Sequence, residues 1–265
     1  VADLASRIEA GYDELSPQEQ RAADFMREHL ADLAVYNSTE VARLSGVSKA
    51  TVSRLYRRLG FENADALREH VRGLRAAGTP LASDAPTNYA QHLDRELGNL
   101  RSALAGLDLE PAATLIAGAR RVVVVGFRNS YPMALHLRQQ LAQARDAVQL
   151  APLPGQSIGE ELAALGADDV VVLVGFRRRP RGFSRVVALV ESSAARTVLL
   201  TDAPRLGSDV VIECPVDSVT AFDSYAAAAS VISLLAAAVL GANLAAGRSR
   251  IGAIGEAYRD LDELE

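Results

Sequence analysis

The residues best suited to chemistry lie close together. From Val41 to Phe61 the chain reads VARLSGVSKATVSRLYRRLGF, with Arg43, Lys49, Arg54, Arg57 and Arg58 and no acid. Lys49 is the only lysine in 265 residues. The segment carries +5 in a chain of net charge −5, so the remainder sums to −10. Total charge therefore does not draw this protein to a polyanion; only a local patch can meet one. Arginines at this density suit two tasks: holding phosphate oxygens, and reading the O6/N7 edge of guanine with two parallel hydrogen bonds.

For those groups to act together, helices must present them on one side. Asn37 and Glu40 have the spacing of a reciprocal cap, which predicts a helix to Ser45. Gly46 can take the positive φ of a tight turn, and Ser48 can cap a second helix ending near Gly60. Small Ala42 fits where two helices cross, and Val41, Leu44, Val47, Val52 and Leu55 are expected on the buried side. The other side of the second helix then carries Lys49, Ala50, Thr51, Ser53, Arg54, Arg57 and Arg58. This is a helix-turn-helix pattern, whose second helix (48–59) enters the major groove of double-stranded DNA by its N-terminal end. Short residues at its start (Ser48, Ala50, Thr51, Ser53) allow close approach, and Arg54 reaches a guanine. Arg43, Arg57 and Arg58 are expected at phosphates, as are the amides at the Ser48 helix start. The plainer reading is a surface helix with solvated arginines. Against it, cap, turn, apolar face and polar face agree in one register.

Other chemistry finds less support. The single cysteine, Cys214, permits no internal disulfide, fits a reducing cytoplasm, and beside Pro215 reads as packing. The four histidines (His29, His70, His92, His136) form no metal-ligand or Ser/His/Asp pattern, so no metal, cofactor or catalytic residue is expected. Glu160 and Glu161 could reach a pocket, but acids near a helix start are also ordinary dipole partners.

The rest of the chain divides by texture. Residues 1–77 read as helices; Ser16, Pro17 and Glu19 open one with a capping box and a first-turn proline. The stretch 78–88 is rich in Pro, Ser, Thr and Gly and reads as a linker, followed by helical patterns over 89–105 and 111–118. Apolar runs then recur at 120–127, 147–153, 168–176, 196–202 and 208–215, with helical stretches between the first four. Continuous Val/Leu runs alternating with helices predict a doubly wound parallel sheet with ligands at the C-terminal strand ends. We therefore expect an all-α helix-turn-helix domain over 1–77, a linker and connecting helix over 78–110, and a five-stranded α/β sandwich over 111–265. Residues 224–247 contain no charge and are long enough to span a bilayer. Their alanine content favours a helix buried in the core or in a subunit contact instead, so no membrane partner is expected.

Two loops in the second half could bind a ligand. In GFRNS, Gly126 frees the turn after the first strand, Ser130 can cap the next helix, and Arg128 and Asn129 lie between them; a plain strand-to-helix cap is the alternative. In GFRRRPRGFS, Gly175 is followed by Arg177 and Arg178, which either grip an anion or are solvated. Asp223 or Ser224 is placed to cap the last long helix.

The segments LSPQEQRAADFM and STEVARLSGVSKATVSRLYRRLGFENADALR resemble the N-terminal domain of RpiR/MurR-type bacterial transcriptional regulators. Residues 115–244 resemble the sugar isomerase (SIS) domain that those regulators carry. The resemblance implies a homodimer or homotetramer that binds a palindromic operator and senses a small anionic metabolite, usually a sugar phosphate, without chemistry. It implies effector contacts at Gly126, Arg128, Asn129, Ser130, Gly175, Arg177, Arg178, Asp223 and Ser224. Some SIS proteins are sugar-phosphate isomerases, which leaves an enzyme with an accessory helical domain as the alternative. Two departures stand out. Arg128 replaces the second glycine of the family's Gly-x-Gly-x-Ser loop, and the Ser-x-Ser-Gly-x-Thr phosphate loop after the third strand has no hydroxyls here.

Overall fold

The computed structural model describes residues 4–30, 32–34, 36–76, 88–203 and 207–263. They fall into two compact units, one of residues 1–95 with 218–223, the other of 96–217 with 224–265. The expected linker at 78–88 lies outside the described residues except for Asn88.

The first unit is helical: α1 (Leu4–Gly11), α2 (Pro17–Glu28), α3 (Ser38–Ser45), α4 (Lys49–Arg58) and α5 (Ala64–Ala76). Their starts are set locally. Ser16 accepts from the Glu19 N–H while the Glu19 carboxylate accepts from the Ser16 N–H at 3.0 Å. Asn37 and Glu40 form the same reciprocal cap on α3. One core, built from Leu4, Ile8, Met26, Val41, Val52, Leu55, Tyr56 and Leu67, joins all five helices.

Next come α6 (Tyr89–Leu104), which opens on an Asn88 cap, and α7 (Glu110–Gly118). The sheet unit then alternates β1 (Arg121–Gly126), α8 (Tyr131–Ala144), β2 (Val148–Ala151), α9 (Gly159–Ala163), β3 (Asp169–Gly175), α10 (Phe183–Glu191), β4 (Arg196–Thr201) and β5 (Val210–Glu213). It ends in α11 (Ala226–Ala242) and α12 (Leu244–Leu261). The strands are all parallel in the order β2-β1-β3-β4-β5. Strand β2 stops at Ala151, before Pro152, which has no N–H to donate to a ladder.

Because side chains alternate along a strand, the valine runs serve two cores. Val122, Val124, Val172 and Val198 face α7, α8 and α11, while Val123, Val125, Val171 and Leu199 face α9 and α10. At the N-terminal end of the sheet Asp169 is fully buried and accepts from the Arg121 guanidinium and the Gly166 N–H. Burial alone would raise its pKa; those donors and the two arginine charges hold it below the ordinary range.

The uncharged run after Ser224 is not one helix. It bends by 110° between α11 and α12, and among the described residues no single helix is long and apolar enough to cross a membrane. One side of α11, from Ala227 to Val239, belongs to the core, while Ser233 and Leu234 face outward.

Candidate functional site

In the helical unit, α3 ends at Gly46, whose φ of 69° is the left-handed turn that glycine takes at no steric cost. Ser48 then caps α4, accepting from the Thr51 N–H at 3.1 Å. Lys49, Ala50, Arg54, Arg57 and Arg58 stand exposed along α4, with Arg43 exposed on α3 and Ser53 half-buried. Ser48 is exposed as well. Helix α4 itself contains no acid, and its two last-turn arginines also complement the negative end of the helix dipole.

Three expectations for this surface need correction. Thr51 is buried, 4% exposed, so it does not face a duplex. It points inward with Val52 and Leu55, and its hydroxyl is used by Ser48 at 2.9 Å and Arg54 at 3.4 Å. Leu44 is 41% exposed, not core. Ser45 takes the inward position because its hydroxyl is satisfied there, donating to the Val41 carbonyl at 2.6 Å. Arg58 is not a free phosphate ligand. It donates to the Glu14 carbonyl at 2.8 Å and lies 3.6 Å from the Glu19 carboxylate. It ties α4 to the cap of α2.

Two contributors were missed from the sequence. Tyr56 is buried on the inner face of α4. Arg7 donates to the Leu59 carbonyl at 2.9 Å and lies over the Phe61 ring at 4.8 Å, closing the C-terminal end of α4 from outside. Nothing in local spacing links position 7 to position 59.

The Glu19 carboxylate is 3% exposed. The Ser16 hydroxyl and amide, and to a lesser degree Arg58, hold its pKa below the usual range. A carboxylate lowered on folding stabilises at neutral pH and loses that contribution as pH falls through its folded pKa. Glu19→Ala is expected to cost about 1–2 kcal/mol at neutral pH through loss of the cap. The gap to the parent should narrow below about pH 4, where the unfolded carboxyl is protonated. Thermal melts across that range check it; a gap independent of pH would refute the assignment.

In the sheet unit, the loops after β1 and β3 lie at the C-terminal strand ends, and the neighbouring strands Gly126↔Val174 set their relation. Gly126 and Gly175 serve packing here. A Cβ on Gly126 would stand 2.6 Å from the Ala134 Cβ, and one on Gly175 would strike the Phe183 ring. Ser130 does not cap α8; it is buried and its hydroxyl accepts from the Phe176 N–H at 3.0 Å, linking the two loops. Arg128 and Asn129 are exposed beyond it, and Arg128 has φ 52°.

The arginine-rich loop separates into two kinds. Arg177 lies 3.3 Å from Asp202 and donates to Asp217 at 2.6 Å, so the expected ligand contact at Arg177 is an internal ion pair. Arg179 donates to Thr201, to Asp202 and to the Gly175 carbonyl. Arg178 has φ 66° and is half-buried. The long helix α11, expected to be capped by Asp223 or Ser224, begins at Ala226 with no side-chain cap from its N-cap residue Tyr225, while the Ser224 hydroxyl accepts from the Ala226 N–H at 3.4 Å. Glu160 is tied to the Ser157 hydroxyl at 2.6 Å, which holds its carboxyl low and anionic. Cys214 is buried, its thiol pushed up to about 12 by burial, which suits packing and not nucleophilic chemistry.

Residues 2–76 match the model of the helix-turn-helix domain of the rpiR family, and residues 115–238 match that of the SIS domain. The chain is 27% identical over 214 residues to a bifunctional protein glk of Paraburkholderia xenovorans, covering 74% of this chain and 32% of that protein. It thus spans about a third of the length of the first curated relatives it matches. It is 21% identical over 224 residues to an HTH-type transcriptional regulator in the aarA 3' region of Providencia stuartii, covering 80% of this chain and 78% of the other. The fold is similar to the sugar isomerase domain of an RpiR transcription factor from Sphaerobacter thermophilus, with a TM-score of 0.57 and 22% identity, covering 66% of this chain and 98% of the other. It is also similar to the Vibrio vulnificus NanR protein complexed with ManNAc-6P, with a TM-score of 0.58 and 16% identity, covering 98% of this chain and 99% of the other.

Proposed function

Because the chain belongs to the RpiR-type regulators, which join a helix-turn-helix domain to a SIS domain, we propose that it is a ligand-responsive transcriptional regulator of carbohydrate or central metabolism. It acts in the cytoplasm as a homodimer or homotetramer. Two copies of α4 enter successive major grooves of a palindromic operator, with Arg54 at a base edge and Arg43, Lys49 and Arg57 at phosphates. The SIS units hold the oligomer together and sense a small anionic metabolite, as the Vibrio protein carries ManNAc-6P. Effector binding favours one spacing of the recognition helices over another, shifting an existing equilibrium. The chain is read as a sensor and not an isomerase, since residues 2–76 match the helix-turn-helix domain of the rpiR family.

The observation that carries this reading is the acid-free basic surface of α4 in a chain of net charge −5. Fluorescence anisotropy with promoter fragments tests it. A dimer using six to ten phosphate contacts is expected to lose roughly 10³–10⁵ in affinity between about 50 and 200 mM salt. Salt-independent binding would refute the surface assignment, and superimposable curves with and without the effector would refute the coupling.

A further inference from the structure

We infer that α12 is a dimerisation arm: it pairs antiparallel with the α12 of a second copy of this chain across a two-fold axis. This rests on the oligomer reading above and narrows it to one contact between named residues. Of the 18 residues of α12 only Gly247 is buried. That end is anchored on its own unit. A Cβ on Gly247 would strike Leu240, and Arg250 donates to the Ala142 carbonyl at 2.6 Å. Past Gly247 no described residue of α12 is buried. A short helix in water is marginal without packing on its apolar face, so this stretch needs a surface to hold it.

The spacing specifies another helix. Ile251, Ile254, Tyr258 and Leu261 follow at steps of three, four and three, the seam of a two-helix coil. Ile251, Tyr258 and Leu261 are exposed and Ile254 is half-buried.

The charges select a second α12 and its direction. Arg248 and Arg250 stand near the start of the helix, while Glu256, Asp260, Asp262 and Glu263 stand toward its end, with Arg259 the exception. A lone helix is favoured by the opposite order, acids at the start and bases at the end. Among the described residues the side chains of Arg248, Asp260 and Asp262 have no hydrogen bond or ion pair. The unit beside the helix start adds to its positive end: Arg120, Arg145 and Arg250, with Asp146, line a crevice of about 650 Å³ against α12. Arg145 is half-buried and donates to the Ala119 and Asp146 carbonyls, not to a carboxylate. Parallel copies would set acid on acid. Antiparallel copies set each acidic tip over the partner's basic start.

One register satisfies both stripe and charge. With Ile251 opposite the partner's Leu261, Ile254 falls opposite the partner's Tyr258 and Arg248 beside the partner's Asp262. Gly255 then meets the partner's Gly255 at the axis, where an added Cβ has nothing within 4 Å in one copy and the backbone is open to close approach. The contact is the same patch on both copies and closes at two.

Sedimentation velocity of the full chain over a concentration series tests this. Ile251→Asp, at an exposed position outside the core, should raise the dissociation constant of the pair at least about thirtyfold, the scale of a lost interface anchor. Arg248→Asp and Asp262→Arg should each weaken association, and the double swap should restore it, a rescue that neither misfolding nor parallel pairing gives. Asp262 has φ 55°, but the single and double variants share any strain there, so their comparison cancels it. Parental association in Ile251→Asp, or a double swap no better than the single changes, overturns the inference. If the parent is an oligomer in that case, only this contact fails. A monomeric parent overturns the oligomer reading with it and leaves the stripe to a different protein.

Discussion

Arg54→Ala should weaken binding to the operator about 5- to 150-fold, the equivalent of about 1–3 kcal/mol, and relax base preference at one position of each half-site. The expectation comes from where Arg54 stands. It is exposed on α4 about two turns from the Ser48 cap, and it donates a long 3.4 Å bond to the Thr51 hydroxyl. That contact uses one guanidinium N–H of the five and leaves the others for guanine. Arg57 differs: its Nε donates to the Ser53 carbonyl at 3.3 Å, directing the remaining nitrogens outward along the helix. Arg57→Ala should weaken all sequences alike and flatten the salt dependence by about one unit of slope. Anisotropy titrations against the operator and a set of single-base variants distinguish the two. Parental binding in both would remove α4 from the duplex.

Gly126→Ala should destabilise the sheet unit, and by a different mechanism from a substitution at the helix-turn-helix glycine. Gly126 has no positive φ; the obstacle is space. An added Cβ would lie 2.6 Å from the Ala134 Cβ and 2.8 Å from the Ser130 carbonyl oxygen. Neither is the end of a flexible side chain, so α8 must move off β1. That in turn disturbs the Ser130 hydroxyl that accepts from the Phe176 N–H. Overpacking of this kind costs about 1–3 kcal/mol or more, which lowers the melting temperature of a domain this size by roughly 2–12 °C. Gly46 is the reverse: nothing lies within 4 Å of an added Cβ, but its φ is 69°. Gly46→Ala should cost only the left-handed penalty, about 1 kcal/mol. A melt in which Gly126→Ala is as stable as the parent would refute the close approach of α8 and β1.

What the sequence by itself determined is whatever depends on neighbours a few residues apart. The caps at Ser16, Asn37 and Ser48 lie two or three residues from their partners. The turn at Gly46 needs one residue with positive φ. The five strands follow from apolar runs whose alternation serves two cores. The local charge reversal at Val41–Phe61 likewise survives any folding, because α4 carries it as one short piece. Tertiary structure alone decided which charged groups remain free. Arg58 is consumed by Glu14, 44 residues away, and Arg177 by Asp217, 40 away. Ser130 loses its capping role to an amide 46 residues on. Run length and composition also gave no sign of the 110° bend between α11 and α12. Each such pairing requires separate elements to be brought together by a particular packing or strand register, and the three successive arginines Arg177, Arg178 and Arg179 look identical until partner carboxylates are folded against two of them.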